Sequence, residues 1–230
     1  MRAKVSDTGR ARRLRVLISA GATREPIDPV RFLSNYSTGY MGSRLAAEAL
    51  RRGHRVTVVS GPTLEPMPEG ARMIQVEGAR QMEAKMRRHA AQADAVLMAA
   101  AVSDFRPAGA RRAKLPRRER FTLRLEATPD VIARVPCRTH QVRVGFALES
   151  GAVVPRASKK LRAKRLDLLL AQRLNGDGGP FGRRPVSAWL LARDGGVKRL
   201  GRLSKPAVAR RILDKVEALW YGQQKPTTGR

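Results

Sequence analysis

Residues Leu14–Leu50 read LRVLISAGATREPIDPVRFLSNYSTGYMGSRLAAEAL. The apolar run Leu14–Ala20 reads as a buried strand. Met41–Leu50 is rich in Ala and Leu, with Met41, Leu45 and Ala49 at helical spacing and Gly53 beyond as a stop. Between them, Gly21–Gly42 is a long polar loop, placed where an α/β protein usually keeps a phosphate site. It is too long for the tight turn of a dinucleotide fold. A loop of this length inside a compact domain needs a functional reason or is disordered.

The same alternation continues outward. Arg55–Ser60 is a β-branched strand closed by Gly61-Pro62, and Met73–Val76 is a short strand. Ala79–Gln92 is a helix with Met82 and Met86 on one face, and Asp94–Ala101 is a continuous apolar strand. Continuous apolar strands alternating with helices imply a parallel sheet covered on both faces. Val102–Arg120 is polar and basic, contains Pro107 and Pro116, and reads as a long mobile loop. Phe121–Glu126 alternates as an added strand. Thr128-Pro129-Asp130 starts a helix, Gln141–Leu148 is a strand, Arg156–Arg165 a basic helix and Leu166–Ala171 a buried strand. Asn175–Arg184 is a Gly-rich turn. Val186–Ala192 and Val197–Leu203 form a hairpin about Asp194-Gly195-Gly196. Ser204 caps a final helix with Val208, Ile212, Val216 and Leu219 on one stripe. The expected fold class is α/β: a Rossmann-like three-layer fold with a mostly parallel central sheet and an added C-terminal β-hairpin. The expected organisation is a basic disordered tail over 1–13, a single domain over 14–221 and a polar tail over 222–230.

The chain has 230 residues, 42% of them hydrophobic, which suffices for a core and argues against global disorder. No apolar run approaches the roughly 18 residues that cross a bilayer. The basic N-terminus lacks the apolar stretch of a secretion signal, and the single Cys137 fits a reducing compartment, so a cytoplasmic location is expected. The net charge is +28. Nucleic acid would explain it, as would steering of a polyanionic substrate. Aromatic residues, however, are 4%, which leaves few stacking platforms. The basic residues are also spread along the whole chain, which favours a solvated basic surface over a nucleic-acid partner.

Several small constellations carry candidate chemistry. Thr38-Gly39-Tyr40-Met41-Gly42 opens the first helix, where glycines and free N–H groups suit a phosphate; a helix that merely starts at glycine is the plain alternative. Arg31 suits bidentate binding of carboxylate or phosphate, and Asn35 can hold a carbonyl or acyl-phosphate oxygen. In isolation the pair reads as a surface arginine and an Asx-turn. Ala99–Asp104 lies at the C-terminal end of a central strand, where ligands bind in open parallel sheets. Lys114, in the Pro-bounded loop, can close over a triphosphate, although it is one lysine among many. Lys160 and Lys164 share one helix face and repel unless an anion lies between them. His54, His89 and His140 fall in separate elements without metal spacing.

In chain order, GATREPIDPVRFLSNYSTGYMG, VTVVSGP, AAAVSDFRP, Lys114, TPDV, VGFALES and KKLRAKRLDLLLA resemble the phosphopantothenate–cysteine ligase family. That family forms the C-terminal half of a bifunctional coenzyme A biosynthesis protein in many bacteria. The resemblance runs from about Leu14 to Ala171 and more weakly through the final helix. It implies a ligase, unrelated to ATP-grasp enzymes, that joins 4′-phosphopantothenate and L-cysteine. CTP would activate the substrate carboxylate as an acyl-cytidylate, with Mg²⁺ as the divalent cation and no flavin. By the resemblance, Asn35 and Lys114 are catalytic, and Arg31, Asn35, Ala100, Ala101 and Asp104 bind the acyl substrate. Gly39, Gly42, Asp104, Lys114, Thr128, Pro129, Asp130, Val131, Phe146, Lys160 and Lys164 bind the nucleotide. The metal ligands are left unassigned. A homodimer with a shared site is implied, Arg31 reaching the neighbouring subunit, and a separate decarboxylase is a possible partner because the flavin-binding half has no room here. Neither a membrane nor nucleic acid is expected as a partner. The sequence departs from the family pattern at Tyr40, where lysine is usual, and at Leu115-Pro116-Arg117, where Ile-Lys-Lys is usual. It departs again at Gln172, where asparagine is usual, and at Arg183-Arg184, where an acid is lost. These departures keep two alternatives in view: a non-catalytic ligase-like subunit and a basic nucleic-acid-binding protein.

Overall fold

The computed structural model describes residues 12–174 and 179–223. The elements are β1 (Arg15–Ala20), β2 (Arg24–Pro26), β3 (Phe32–Ser34), α1 (Tyr40–Arg51), β4 (Arg55–Ser60), β5 (Arg72–Gln75), α2 (Ala79–Ala90), β6 (Ala95–Met98), β7 (Phe105–Pro107), β8 (Leu125–Ala127), α3 (Val131–Arg134), β9 (Val142–Glu149), α4 (Val153–Ala163), β10 (Leu168–Arg173), β11 (Val186–Ala192), β12 (Val197–Leu203) and α5 (Lys205–Gln223). An eight-stranded sheet has the order β12-β11-β10-β9-β6-β1-β4-β5. Strands β5, β4, β1, β6, β9 and β10 pair parallel, while β11 and β12 add an antiparallel hairpin at the edge.

The period-two side-chain alternation of a strand divides the core between the two sheet faces. Val16, Ile18, Ala95, Leu97, Leu168 and Leu170 pack with Leu45 and Ala49 of α1 and with Val208, Ile212 and Val216 of α5. Their neighbours Leu17, Val96, Met98, Leu169 and Ala171 pack with Met82 and Met86 of α2, Val131 of α3 and Ala157 of α4. Burial on both faces is why these strands read as unbroken apolar runs rather than alternating ones. The three-layer α/β expectation holds. Among the described residues no helix is long and apolar enough to cross a membrane.

Five expectations need correction. The loop Gly21–Gly42 contains the antiparallel hairpin of β2 and β3. Its three-residue strands are too short to show a period in sequence. The segment Val102–Arg120 is not loop throughout, because β7 pairs antiparallel with β8. The strand expected at Phe121–Glu126 is confined to Leu125–Ala127. Here β7 offers it only three partners, so pairing rather than alternation sets its length. The basic helix begins at Val153 instead of Arg156, since Pro155 lies in its first turn, where a missing N–H costs nothing. The final helix runs to Gln223, so the boundary expected at Gly222 falls inside it. The expected tail over 1–13 lies outside the described residues up to residue 11, as does the Gly-rich turn at 175–178.

Candidate functional site

From β1 the chain moves through α1 to β4 and β5 on one side, then returns through α2 to β6 on the other side of β1. The strand order therefore reverses between β1 and β6. At such a switch point a crevice opens beyond the carboxyl ends of the strands. Two backbone bonds hold its floor: Ala101 N–H donates to Gly21 O (2.9 Å) and Thr23 N–H to Ala101 O (3.2 Å). The Thr23 hydroxyl accepts from Ser103 N–H (2.9 Å), and the Thr128 hydroxyl donates to Ser103 O. Thr128 N–H donates to Asp104 O (2.9 Å). The residues after β6 and those before α3 are thereby tied into one rim.

A cavity of about 500 Å³ extends from this crevice over the carboxyl ends of β6 and β9. Its lining gathers Asn35, Ala100, Ala101, Asp104, Thr128, Pro129, Asp130, Val131, Phe146, Lys160 and Lys164, all expected site residues. Asn35 is aimed by its side-chain amide, which donates to Ala101 O (3.1 Å). The hairpin that carries it is anchored at Thr23 O by the Ser34 hydroxyl (2.7 Å) and at Glu77 O by Arg24 N–H (2.8 Å). Glu25, buried in the hairpin, accepts from Ala79 N–H (2.8 Å) and so caps α2 from a distance. Asp130 caps α3 by accepting from Ala133 N–H (3.4 Å). The same carboxylate lies 3.0 Å from Lys164 Nζ, and Glu149 Oε1, buried at the end of β9, lies 2.6 Å from Lys160 Nζ. The two lysines face the cavity with carboxylates already beside them.

Four expected residues lie elsewhere. Arg31 and Lys114 line a separate groove with Ile27, Pro116 and Phe121. The Arg31 guanidinium is committed there, bonding the buried Asp28 carboxylate and Leu115 O (2.8 Å). That bond, with the amide donations from Leu115, Val30 and Arg31, holds the Asp28 carboxyl well below the usual carboxylate range. Gly39 and Gly42 flank Met41, which lines a smaller cavity beside the main one. Both glycines have packing reasons. Gly39 has φ +84, and a Cβ on it would stand 2.2 Å from Thr63 Oγ1. A Cβ on Gly42 would stand 2.5 Å from Ala20 Cβ, so the glycine lets α1 lie close on β1.

The cavity also holds residues that the sequence did not single out as site residues. The rings of Tyr36 and Phe181 meet at its edge, 6.0 Å apart. Gln172, at the end of β10, and Lys205, at the start of α5, line the smaller cavity. Aromatic side chains at a loop tip and one lysine among many gave no periodic signal. The ring of Tyr40, where lysine was expected, lies among cations: Arg44 (5.1 Å), Arg183 (5.7 Å) and Lys205 (6.0 Å) from its centroid.

Comparison with known proteins agrees with this geometry. Residues 11–219 match the family described as DNA/pantothenate metabolism flavoprotein C-terminal domain. The chain is 39% identical over 222 residues to the coenzyme A biosynthesis bifunctional protein CoaBC of Mycobacterium tuberculosis, covering 90% of this chain and 53% of that protein. The chain thus spans about half the length of the curated relatives it matches. Among solved structures, the C-terminal domain of a CoaBC protein superposes with a TM-score of 0.76 at 34% identity, covering 91% of this chain and 96% of that one. A Cab2 variant described as a complex with phosphopantothenate-cysteine superposes with a TM-score of 0.72 at 17% identity, covering 92% of this chain and 89% of that one. At that identity the likeness speaks for the fold alone.

Proposed function

The chain belongs to the DNA/pantothenate metabolism flavoprotein C-terminal domain family, and from that premise we propose that it joins 4′-phosphopantothenate to L-cysteine with the consumption of CTP. The substrate carboxylate oxygen attacks the α-phosphorus, and the bond to pyrophosphate breaks. The cysteine amine then attacks the acyl carbon, CMP leaves, and the amine proton is lost to solvent or a base. The observation that carries this reading is the crevice beyond the carboxyl ends of β6 and β9. It brings an aimed amide, Asn35, into one cavity with two lysines, Lys160 and Lys164.

The chemical problem is to bring two anions together and stabilise the charge that develops on phosphate and acyl oxygens. Asn35, fixed through its N–H to Ala101 O, presents its side-chain oxygen and remaining N–H to the acyl group. Lys160 and Lys164 neutralise the triphosphate by exchanging their internal carboxylates for phosphate oxygens. The alanines Ala100 and Ala101 let the ligand lie against the backbone. Thr128–Val131 and Phe146 supply the wall that flanks the nucleotide.

Among the described residues no group of three or more His, Cys, Asp or Glu side chains could hold a metal alone. Magnesium rarely needs such a cage, because it uses one or two carboxylates together with substrate phosphates. Asp104, exposed at the crevice, fits that use, and the ion would offset triphosphate charge there.

Arg31 and Lys114 form a second basic surface outside the main cavity. In a homodimer that surface would complete the partner's site, Arg31 toward the substrate phosphate and Lys114 toward the nucleotide. The deciding assay is pyrophosphate release from CTP, with ATP, GTP and UTP in parallel, by the full chain. Release that requires both 4′-phosphopantothenate and Mg²⁺ supports the ligase, as does product formation that also requires cysteine. No release with any nucleotide overturns it.

A further inference from the structure

Lys205 opens α5 and is only 5% exposed. Its one hydrogen bond among the described residues goes to Gly182 O (2.7 Å). A buried ammonium is ordinarily paired with a carboxylate. Here the nearby Glu65 is engaged by Arg183 (3.2 Å). Burial lowers the Lys205 pKa to about 8, only partly opposed by the field of Glu65. Its place is unfavourable in a further respect, since the first turn of a helix carries the positive end of the dipole. The fold therefore holds a cation where burial, pairing and helix polarity all disfavour one.

The surroundings share this excess of positive charge. Tyr40, against which Lys205, Arg44 and Arg183 gather, opens α1, whose first turn has no acidic residue. The Arg44 Nε is buried and has no hydrogen-bond partner among the described residues. Lys205 lines the smaller cavity with Ser37, Met41 and Gln172, and that cavity shares Ala100, Ala101 and Phe146 with the main one. A ligand seated in the main cavity can reach Lys205 without leaving the crevice.

We propose that Lys205 is the anion-binding residue of a polyphosphate subsite, taking the terminal phosphates of the nucleotide and then the pyrophosphate released. This rests on the nucleotide-dependent reading above. The subsite supplies from the ligand the paired counter-charge that Lys205 lacks among the described residues, which explains why the fold tolerates the lysine.

The test measures binding of Mg²⁺-pyrophosphate, CTP, CMP and 4′-phosphopantothenate to the full chain and to the Lys205→Gln, Lys205→Met and Lys205→Arg variants. Circular dichroism confirms folding, and the methionine variant keeps the packing of the side-chain stem if the glutamine variant does not fold. The loss of one charge-assisted bond predicts that Lys205→Gln or Lys205→Met weakens pyrophosphate and CTP by at least about tenfold. CMP should stay within about twofold, and Lys205→Arg should recover most of the affinity. The KM for CTP should rise while that for cysteine holds, a split that a purely structural lysine would not give. Pyrophosphate binding that is absent in the parent, or equal in parent and variants, overturns the subsite. So does a loss confined to 4′-phosphopantothenate. A parent that binds pyrophosphate through Lys205 yet releases none from any nucleoside triphosphate overturns the ligase reading and leaves the subsite standing.

Discussion

Lys160 Nζ stands 2.6 Å from Glu149 Oε1, and one helical turn on Lys164 Nζ stands 3.0 Å from Asp130 Oδ2. The two pairs differ in burial: Glu149 is nearly closed off, while the Asp130 side chain is 48% exposed. The repulsion expected between two lysines on one helix face is thus relieved inside the chain. A phosphate ligand must compete with both carboxylates, and Asp130 is the one held more loosely.

Replacing that competitor should help the ligand. Asn caps a helix about as well as Asp, so Asp130→Asn keeps the bond to Ala133 N–H while removing the charge. Exposed ion pairs contribute about 0.2–1 kcal/mol. Nucleotide affinity in a calorimetric titration should therefore rise by up to about fivefold, with Tm nearly unchanged. Weaker binding would mean that Asp130 itself serves the ligand and that its pairing with Lys164 is secondary.

Asn35→Asp addresses the chemical step. The amide donates to Ala101 O at 3.1 Å. An ionised Asp cannot make that bond, and it places a further negative charge in a cavity proposed to hold two anions. Loss of one aimed donor typically costs about 10²–10³ in rate. In a single turnover the variant should accumulate the acyl-cytidylate, or fail to convert it, with amide formation slowed by about 100-fold. Amide formation at the parent rate would remove Asn35 from the reaction.

How far the site could be read from the sequence depended on whether its parts were local. Buried parallel strands are legible because burial on both faces leaves an apolar run, and Arg55–Ser60 ends where the structure ends it; the antiparallel strands Val186–Ala192 and Val197–Leu203 are legible instead from the turn at Asp194-Gly195-Gly196 between them. The crevice was legible because Ala99–Asp104 follows one of those runs. The hairpin of β2 and β3 was not, since its strands are three residues long and its anchor, Arg24 N–H donating to Glu77 O, reaches a partner distant in sequence. Gly39 and Gly42 show the same limit: a phosphate-binding glycine and a close-packing glycine look alike until Thr63 and Ala20 are placed beside them. Lys205 was invisible as a site residue because its burial depends on Gly182 and Tyr40, which meet it only in the folded chain.

The α1–α5 contact predicts acid sensitivity. Glu48 accepts from Arg51 Nε (2.9 Å) and Arg52 Nε (2.8 Å), and Arg52 crosses to Glu217 (2.7 Å) and Asp214 (2.7 Å) on α5. The bond from Arg51 outweighs burial and, with those from Arg52, lowers the Glu48 pKa from 4.5 to about 2. Its folded pKa is depressed, so the stabilisation is fully present above about pH 4.5 and is lost as pH falls toward about 2. Glu48→Gln should cost about 1–3 kcal/mol near neutral pH. The gap in Tm between parent and variant should close as the solution is acidified through that window. A gap that stays constant down to the lower limit would show that the Glu48 charge does not hold the two helices.

Gly42→Ala separates packing from ligand binding at the start of α1. The added methyl would stand 2.5 Å from Ala20 Cβ and 3.1 Å from Ala20 Cα, so α1 must shift away from β1. Overpacking of this kind costs about 1–3 kcal/mol, which in a chain of this size lowers Tm by roughly 2–4 °C per kcal/mol. If packing is the reason for the glycine, the loss in Tm should be the same with and without saturating nucleotide. If the backbone at Gly42 approaches a phosphate, the variant should instead bind nucleotide more weakly than its loss of stability accounts for, and the added nucleotide should stabilise it less than the parent. Thermal melts with and without CTP distinguish the two, and an unchanged Tm in the absence of ligand would overturn the packing account.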